Sequence, residues 1–278
     1  MTWRRFRRHR LALTGGAVAL ALTLAAVAAP ILAPYPPERI DLASRWVPPS
    51  RGHWLGTDEL GRDVLSRLLY AGRVSLAVGY VVAIGVGLVG AAAGAAAGYY
   101  GRTVDTVLMR LVDVLLSVPA LPLYLILAAI IPGGGVLRII LIFTAFGWTG
   151  AARLVRGQVL ALRQQDFVVA ARASGASELR VIARHVLPNA LAPVIVAATL
   201  AVGGAILGES ALSYLGLGIA PPTASWGNML QRAQEYVFTA AWLAVAPGVF
   251  IFVTVLSFNF LGDGLRDALD PRLRTTRR

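Results

Sequence analysis

Few side chains in this sequence are equipped for chemistry. Two acids, Asp113 and Glu209, interrupt long apolar runs. A carboxylate in a membrane-length apolar segment is costly unless paired, so each marks a structural pair or a route for a polar ligand. Arg110 stands three residues before Asp113 on the same helical face, which predicts a structural ion pair. Glu209 has Ser210 and Ser213 close by, and their hydroxyls can satisfy it locally. It reads as a pin at the outer end of its helix, with contact to a permeating ligand as the alternative. Asp58 and Glu59 follow Thr57, a good helix N-cap, and acids suit a first turn. That stretch reads as a short interfacial helix rather than a ligand site.

Much chemistry is excluded outright. There is no Cys, hence no disulfide, thiolate nucleophile or Cys-ligated metal. His9, His53 and His185 lie far apart without metal-ligand spacing and read as surface histidines. All 26 basic residues are Arg, so a phosphate-binding loop of the form G-x-x-x-x-G-K-[ST] cannot exist here. If ATP powers the protein, another chain binds it. No nucleophile–base pair stands out, and the chain reads as non-catalytic.

One polar stretch remains, Asp166 to Pro188, with apolar, membrane-length segments on both sides. Leu160–Ser174 is helix-prone. Gly175 can end that helix in the left-handed conformation, and Ser177 can cap a second short helix whose first turn carries Glu178. Pro188 denies simple continuation, so a kink is expected before the chain re-enters the membrane. The product is an elbow, 159–188, kept thin by Ala170, Ala171, Ala173 and Gly175. Bulky apolar residues opposite its arginines would suit lipid headgroups. The Ala/Gly content fits a groove on another protein better.

The elements that hold this elbow are membrane spans. The chain has 278 residues, 57% of them hydrophobic and 14% charged, with mean hydropathy +0.68. Soluble domains carry about 25% charged residues. The net charge of +12 sits beside apolar runs, as orientation signals do, and is not read as a nucleic-acid surface. Six spans are expected: 11–33, 74–99, 108–131, 136–152, 189–217 and 238–261. The first run is too long for a cleaved signal. Around the spans lie a basic tail 1–10, a Pro-rich extracytoplasmic loop 34–73, a five-helix core 74–262 and a tail 263–278. Gly90, Gly94 and Gly98 form a small-residue stripe that lets two membrane helices approach closely. Five Arg in the first ten residues hold the amino end in the cytoplasm, which puts the elbow and the carboxyl end there too. Six Arg in the first outer loop run against that rule. A secondary transporter or channel is the main rival, but no inverted repeat is visible, and Asp113 and Glu209 do not match between halves.

A-A-R-A-S-G at 170–175, nine residues, then H-V-L-P at 185–188 resembles the EAA loop of ABC importer permeases. G-T-D-E-L-G-R-D-V-L-S-R-L-L-Y at 56–70 is similar to the dipeptide/oligopeptide/nickel branch, as are L-M-R-L-V-D at 108–113 and A-R-L-V-R-G-Q at 152–158. S-Y-L-G-L-G-I-A-P-P-T-A-S-W-G-N-M-L at 213–230 and L-G-D-G-L-R-D-A-L-D-P-R-L at 261–273 agree too, and the likeness is to the C-type member of the permease pair. The resemblance implies an all-α, type I importer permease in the bacterial plasma membrane, moving peptides or related small solutes by alternating access. It implies a second, B-type permease, two ATPase subunits that bind ATP and Mg, and an extracytoplasmic substrate-binding protein. It implies that Ala170, Ala171, Arg172, Gly175, Leu187 and Pro188 make the coupling contact. Val169 stands where the family motif has Glu, which removes that acid from any contact with an ATPase.

Overall fold

The computed structural model describes residues 6–7, 9–133 and 135–269. Most of the two basic tails, and Gly134 in the P-G-G-G turn, lie outside these residues. Among the described residues five helices are long and apolar enough to cross a membrane, and the spans number six if one sharply bent helix pair is counted as a single broken span.

The first span is helix α1, Arg10–Val27, followed by a short helix α2, Ala29–Leu32. The expected single run 11–33 breaks at Ala28 because Pro30 has no N–H to give the preceding turn and its ring crowds it.

Helix α3, Val64–Tyr100, runs for 37 residues. At 1.5 Å per residue that is about 55 Å, well beyond a hydrocarbon core of about 30 Å. It begins ten residues before the expected second span, and the interfacial helix expected after Thr57 is not there. Thr57 is occupied elsewhere: its hydroxyl donates to the Ser44 carbonyl at 2.5 Å and accepts the Val47 N–H at 2.9 Å. Asp58 folds a turn on itself, accepting the N–H groups of Leu60 and Arg62, both at 2.9 Å. The cap belongs to Asp63, which accepts the Ser66 N–H at 2.8 Å and its hydroxyl at 2.7 Å.

The expected third span is two helices, α4, Arg102–Ser117, and α5, Ala120–Ile130, meeting at 89°. Pro119 causes the break. It forces Val118 into extended backbone (φ −96°, ψ 130°) and offers no N–H. Asp113 does not pair with Arg110. Its partner is Arg153 at 2.5 Å, on helix α6, Val136–Leu162, which runs ten residues past the expected end of the fourth span.

The elbow is built from helix α7, Asp166–Ala173, and helix α8, Glu178–Val181. The expected helix 160–174 is interrupted, since Gln165 is extended (φ −77°, ψ 147°). The helix does not break at Pro188. A π-helical turn, Ile182–Val186, carries α8 directly into helix α9, Leu187–Tyr214. In that turn the Leu187 N–H bonds back five residues to the Ile182 carbonyl. The wider winding places the proline's missing N–H at the seam, where an α-helix would have lost a bond. Helix α10, Trp226–Ala233, follows in the next loop, and helix α11, Trp242–Leu269, forms the last span.

Helix α6 lies along α3, α9 packs on both α3 and α11, and α1 lies on α11. The glycine stripe makes the first of these contacts possible. A Cβ added at Gly94 would stand 2.5 Å from the Ala152 carbonyl oxygen, and one at Gly90 would stand 2.5 Å from the Ala151 Cβ. Gly98 meets Val159 in the same way.

Candidate functional site

The bundle has two polar ends. At one, the elbow is seated on the last turns of α3 and α6. Its buried side is apolar: Val168, Val181 and Val186 are fully enclosed and pack in one cluster with Tyr99, Val155 and Val159. Arg172 reaches back over α3, its guanidinium 4.7 Å from the Tyr99 ring centre, and its Nε donates to the Tyr99 hydroxyl at 3.2 Å. Arg163, in the turn between α6 and α7, donates to the Gly98 carbonyl at 3.1 Å. The elbow therefore contacts α3 and α6 as well as its own neighbours in sequence.

Gly175 ends α7 with φ +79°, and the Ala176 N–H closes back on the Ala171 carbonyl at 3.2 Å. The positive φ, not crowding, is what favours glycine here, since among the described residues no atom outside the neighbouring residues lies within 4 Å of where a Cβ would stand. The outward side of the elbow carries Phe167, Val169 and Leu179, all exposed, beside Ala170 and Ala173. The structure thus brings Ala170, Ala171, Arg172 and Gly175 onto one short helix and its end. Leu187 turns partly inward against the same core, and Pro188 is exposed at the start of α9. Ser177 precedes α8 as expected, but its side chain makes no capping bond.

Between the ends, α4 is tied to α6 by charge. Arg156 grips Asp105 through both Nε and Nη2, and Arg153 takes Asp113. Sequence reading missed Asp105 because its partner lies 51 residues away.

At the other end, Glu209 of α9 is completely buried. It accepts hydroxyl hydrogens from Ser213 at 2.7 Å, Ser225 at 2.7 Å and Ser75 at 3.3 Å. Ser210, expected to help, does not: among the described residues its buried hydroxyl has no partner. Ser75 lies 134 residues away on α3, and Ser225 caps α10. The only sequence signal for Ser225 was the S-x-x-N capping pattern before α10, with Asn228 returning a bond to the Ser225 N–H at 3.1 Å. Glu59 joins the same end, shared between Arg62 at 3.1 Å and Arg232 at 3.2 Å. A cavity of about 430 Å³ opens beside it, walled by Glu59, Ser213, Ile219, Gln231, Arg232 and Tyr236 among others. Asp113 and Glu209 share no partner, and among the described residues no group of three or more side chains could hold a metal ion.

Residues 90–275, from the last turns of α3 onward, match the family model described as binding-protein-dependent transport system inner membrane component. The chain belongs to this family. Residues 1–49 match the N-terminal transmembrane domain of oligopeptide transport permease C. The dipeptide transport system permease protein DppC of Bacillus subtilis is 44% identical over 98% of this chain and 85% of its own length. The oligopeptide permease protein OppC of the same organism is 40% identical over 97% and 88%. The glutathione transport system permease protein GsiD of Escherichia coli is 42% identical over 98% and 90%. Among solved structures, the MetNI methionine ABC transporter in an inward-facing conformation overlaps 73% of this chain and 96% of its own, with TM-score 0.58 at 19% identity. That likeness carries the type I permease fold. The chain is a multi-pass inner-membrane permease subunit of an ABC importer, and as such not the subunit that hydrolyses ATP.

Proposed function

We propose that this permease imports peptides, with dipeptides and short oligopeptides as the cargo class, and that the 166–188 elbow is its coupling helix. The observation that carries the proposal is the two-sided elbow: one face is locked into the ends of α3 and α6, and the other exposes Phe167, Val169 and Leu179. A segment so built passes force between an external partner and the bundle. In this reading the partner is an ATPase subunit that binds ATP and Mg. A second permease completes the path, and a substrate-binding protein delivers cargo at the opposite end. Five Arg in the first ten residues favour a cytoplasmic amino end, with the elbow and carboxyl end on the same side and the Glu209 end outside.

Alternating access then needs no chemistry in this chain. Nucleotide binding draws the elbows together, α3 and α6 follow through Val168, Val181 and Arg172, and the path changes the side to which it opens. The test is ATPase activity of the complex, reconstituted with its binding protein, across a panel of peptides and metal chelates. Stimulation by peptides and not by chelates is expected. Stimulation by chelates alone would refute the cargo class.

A further inference from the structure

The hydrogen bonds around Glu209 have a direction, and that direction reaches the outer loop. Each of the three serines that touch the carboxylate also accepts one backbone N–H. Ser75 accepts from Trp226 at 3.1 Å, Ser213 from Ile219 at 3.1 Å and Ser225 from Asn228 at 3.2 Å. A hydroxyl has one hydrogen to give. With an N–H already pointing at each oxygen, each serine gives its hydrogen to Glu209. Three amides of the segment 219–228 are thereby held on a single carboxylate through three relays. The two oxygens divide the work: Oε1 takes Ser213 and Ser225, and Oε2 takes Ser75.

The backbone is built to lie this close. A Cβ at Gly227 would stand 2.6 Å from the Ser210 Cα, and one at Gly218 would fall 2.5 Å from the Ser213 Cα. Trp226, fully buried, adds a third anchor by donating its indole N–H to the Leu68 carbonyl at 3.1 Å. The same segment continues into α10 and the 3-10 turn Gln234–Tyr236, which wall the 430 Å³ cavity with Gln231, Arg232 and Tyr236. Glu209 does not line that cavity, but Ser213, one hydrogen bond removed from it, and Ile219, two removed, do.

We propose that Glu209 is a positioning residue for cargo delivery: through Ser75, Ser213 and Ser225 it fixes the outer segment 219–236 in the shape that the substrate-binding protein engages. The delivering partner itself rests on the function proposed above; the relay does not. The partner's contact is polar, because the wall it meets carries Arg232, Glu235 and the amides of Gln231 and Gln234.

The test uses the whole complex in lipid nanodiscs, titrated with its binding protein while ATPase rate is read. Glu209→Ala is expected to raise the half-saturating concentration about tenfold, a rise larger than any fall in plateau rate. Glu209→Gln keeps an acceptor oxygen for Ser213 and Ser225 and is expected within about threefold of wild type. A lower plateau at wild-type half-saturation would mean a merely structural role and overturn the proposal, as would wild-type behaviour in both quantities. Should Glu209→Ala fail to reach the membrane, Ser225→Ala removes one relay only. Amide hydrogen exchange across 219–228 should then quicken about tenfold at Asn228 and its neighbours, and unchanged exchange would overturn the relay. If the wild-type complex ignores its binding protein, the delivery reading fails, while the exchange measurement still decides the relay.

Discussion

Gly175 allows the proposed coupling contact to be separated from the fold that presents it. Its φ of +79° is a conformation that any L side chain occupies at a cost, roughly 1–2 kcal/mol. That cost falls alike on Gly175→Ala and Gly175→Trp. The two differ in bulk, and among the described residues no atom outside the neighbouring ones lies within 4 Å of the added Cβ. The alanine variant therefore measures strain, and the tryptophan variant measures strain plus whatever stands outside the elbow. Forcing a large side chain into a packed contact costs about 1–3 kcal/mol. At 1.4 kcal/mol per factor of ten, that weakens engagement by about fivefold to more than a hundredfold. The assay is peptide uptake and ATPase rate of both variants in proteoliposomes, normalised to the amount of permease inserted. Insertion should be equal in the two. Uptake should fall at least about fivefold more in Gly175→Trp, with ATP hydrolysis no longer tied to cargo. If the tryptophan variant transports as well as the alanine variant, no partner packs against this end of α7 and the coupling assignment is wrong.

Other perturbations test the parts that hold the elbow and the spans. Gly94→Val places a side chain where a Cβ alone comes within 2.5 Å of Ala152, so α3 and α6 must part. A loss of about 1–3 kcal/mol is expected, read as a lower Tm of the detergent-purified complex, and an unchanged Tm would contradict the packing. Arg138 donates to the carbonyls of Ala128 at 2.9 Å and Leu217 at 2.8 Å, joining the end of α5 to the loop after α9. Arg138→Gln strands those carbonyls, and a Tm drop matching about 1–3 kcal/mol should follow; Arg138→Lys, a point donor, should recover only part of it. The Asp105–Arg156 pair is partly exposed, so Asp105→Asn should cost no more than about 1 kcal/mol, and exchanging the two residues should return most of it in the same melting assay. Arg172→Ala removes the guanidinium from Tyr99, a contact worth about 0.5–1 kcal/mol at an exposed site. Insertion should survive while uptake per ATP falls, and unchanged coupling would free α3 from the elbow.

What the sequence made legible followed from local periodicity and composition. Apolar runs located the spans, Gly175 located the end of α7, and the four-residue glycine spacing located a close helix contact before its partner was known. What it hid was non-local. Asp113 has Arg110 within reach on its own helix, yet Arg153 takes it, because the short helix α4 lies against α6 and a guanidinium arrives from across the gap. Ser75 gives no sign in sequence of serving a carboxylate 134 residues on. Prolines misled in both directions for one physical reason. A missing N–H breaks a helix only where the surrounding winding cannot absorb it. At Pro119 the preceding residue is driven into extended backbone and the chain turns through 89°. At Pro188 a π-turn has already lengthened the winding, and the helix runs on into the membrane. The α8 half of the elbow is consequently continuous with α9, and the α7 half is joined through a turn to α6. A displacement applied at α8 passes along the backbone into α9, while one applied at α7 reaches α6 and α3 through side-chain contact at Val168 and Arg172. The two routes differ in stiffness, and substitutions at Pro188 should therefore alter transport differently from substitutions at Arg172.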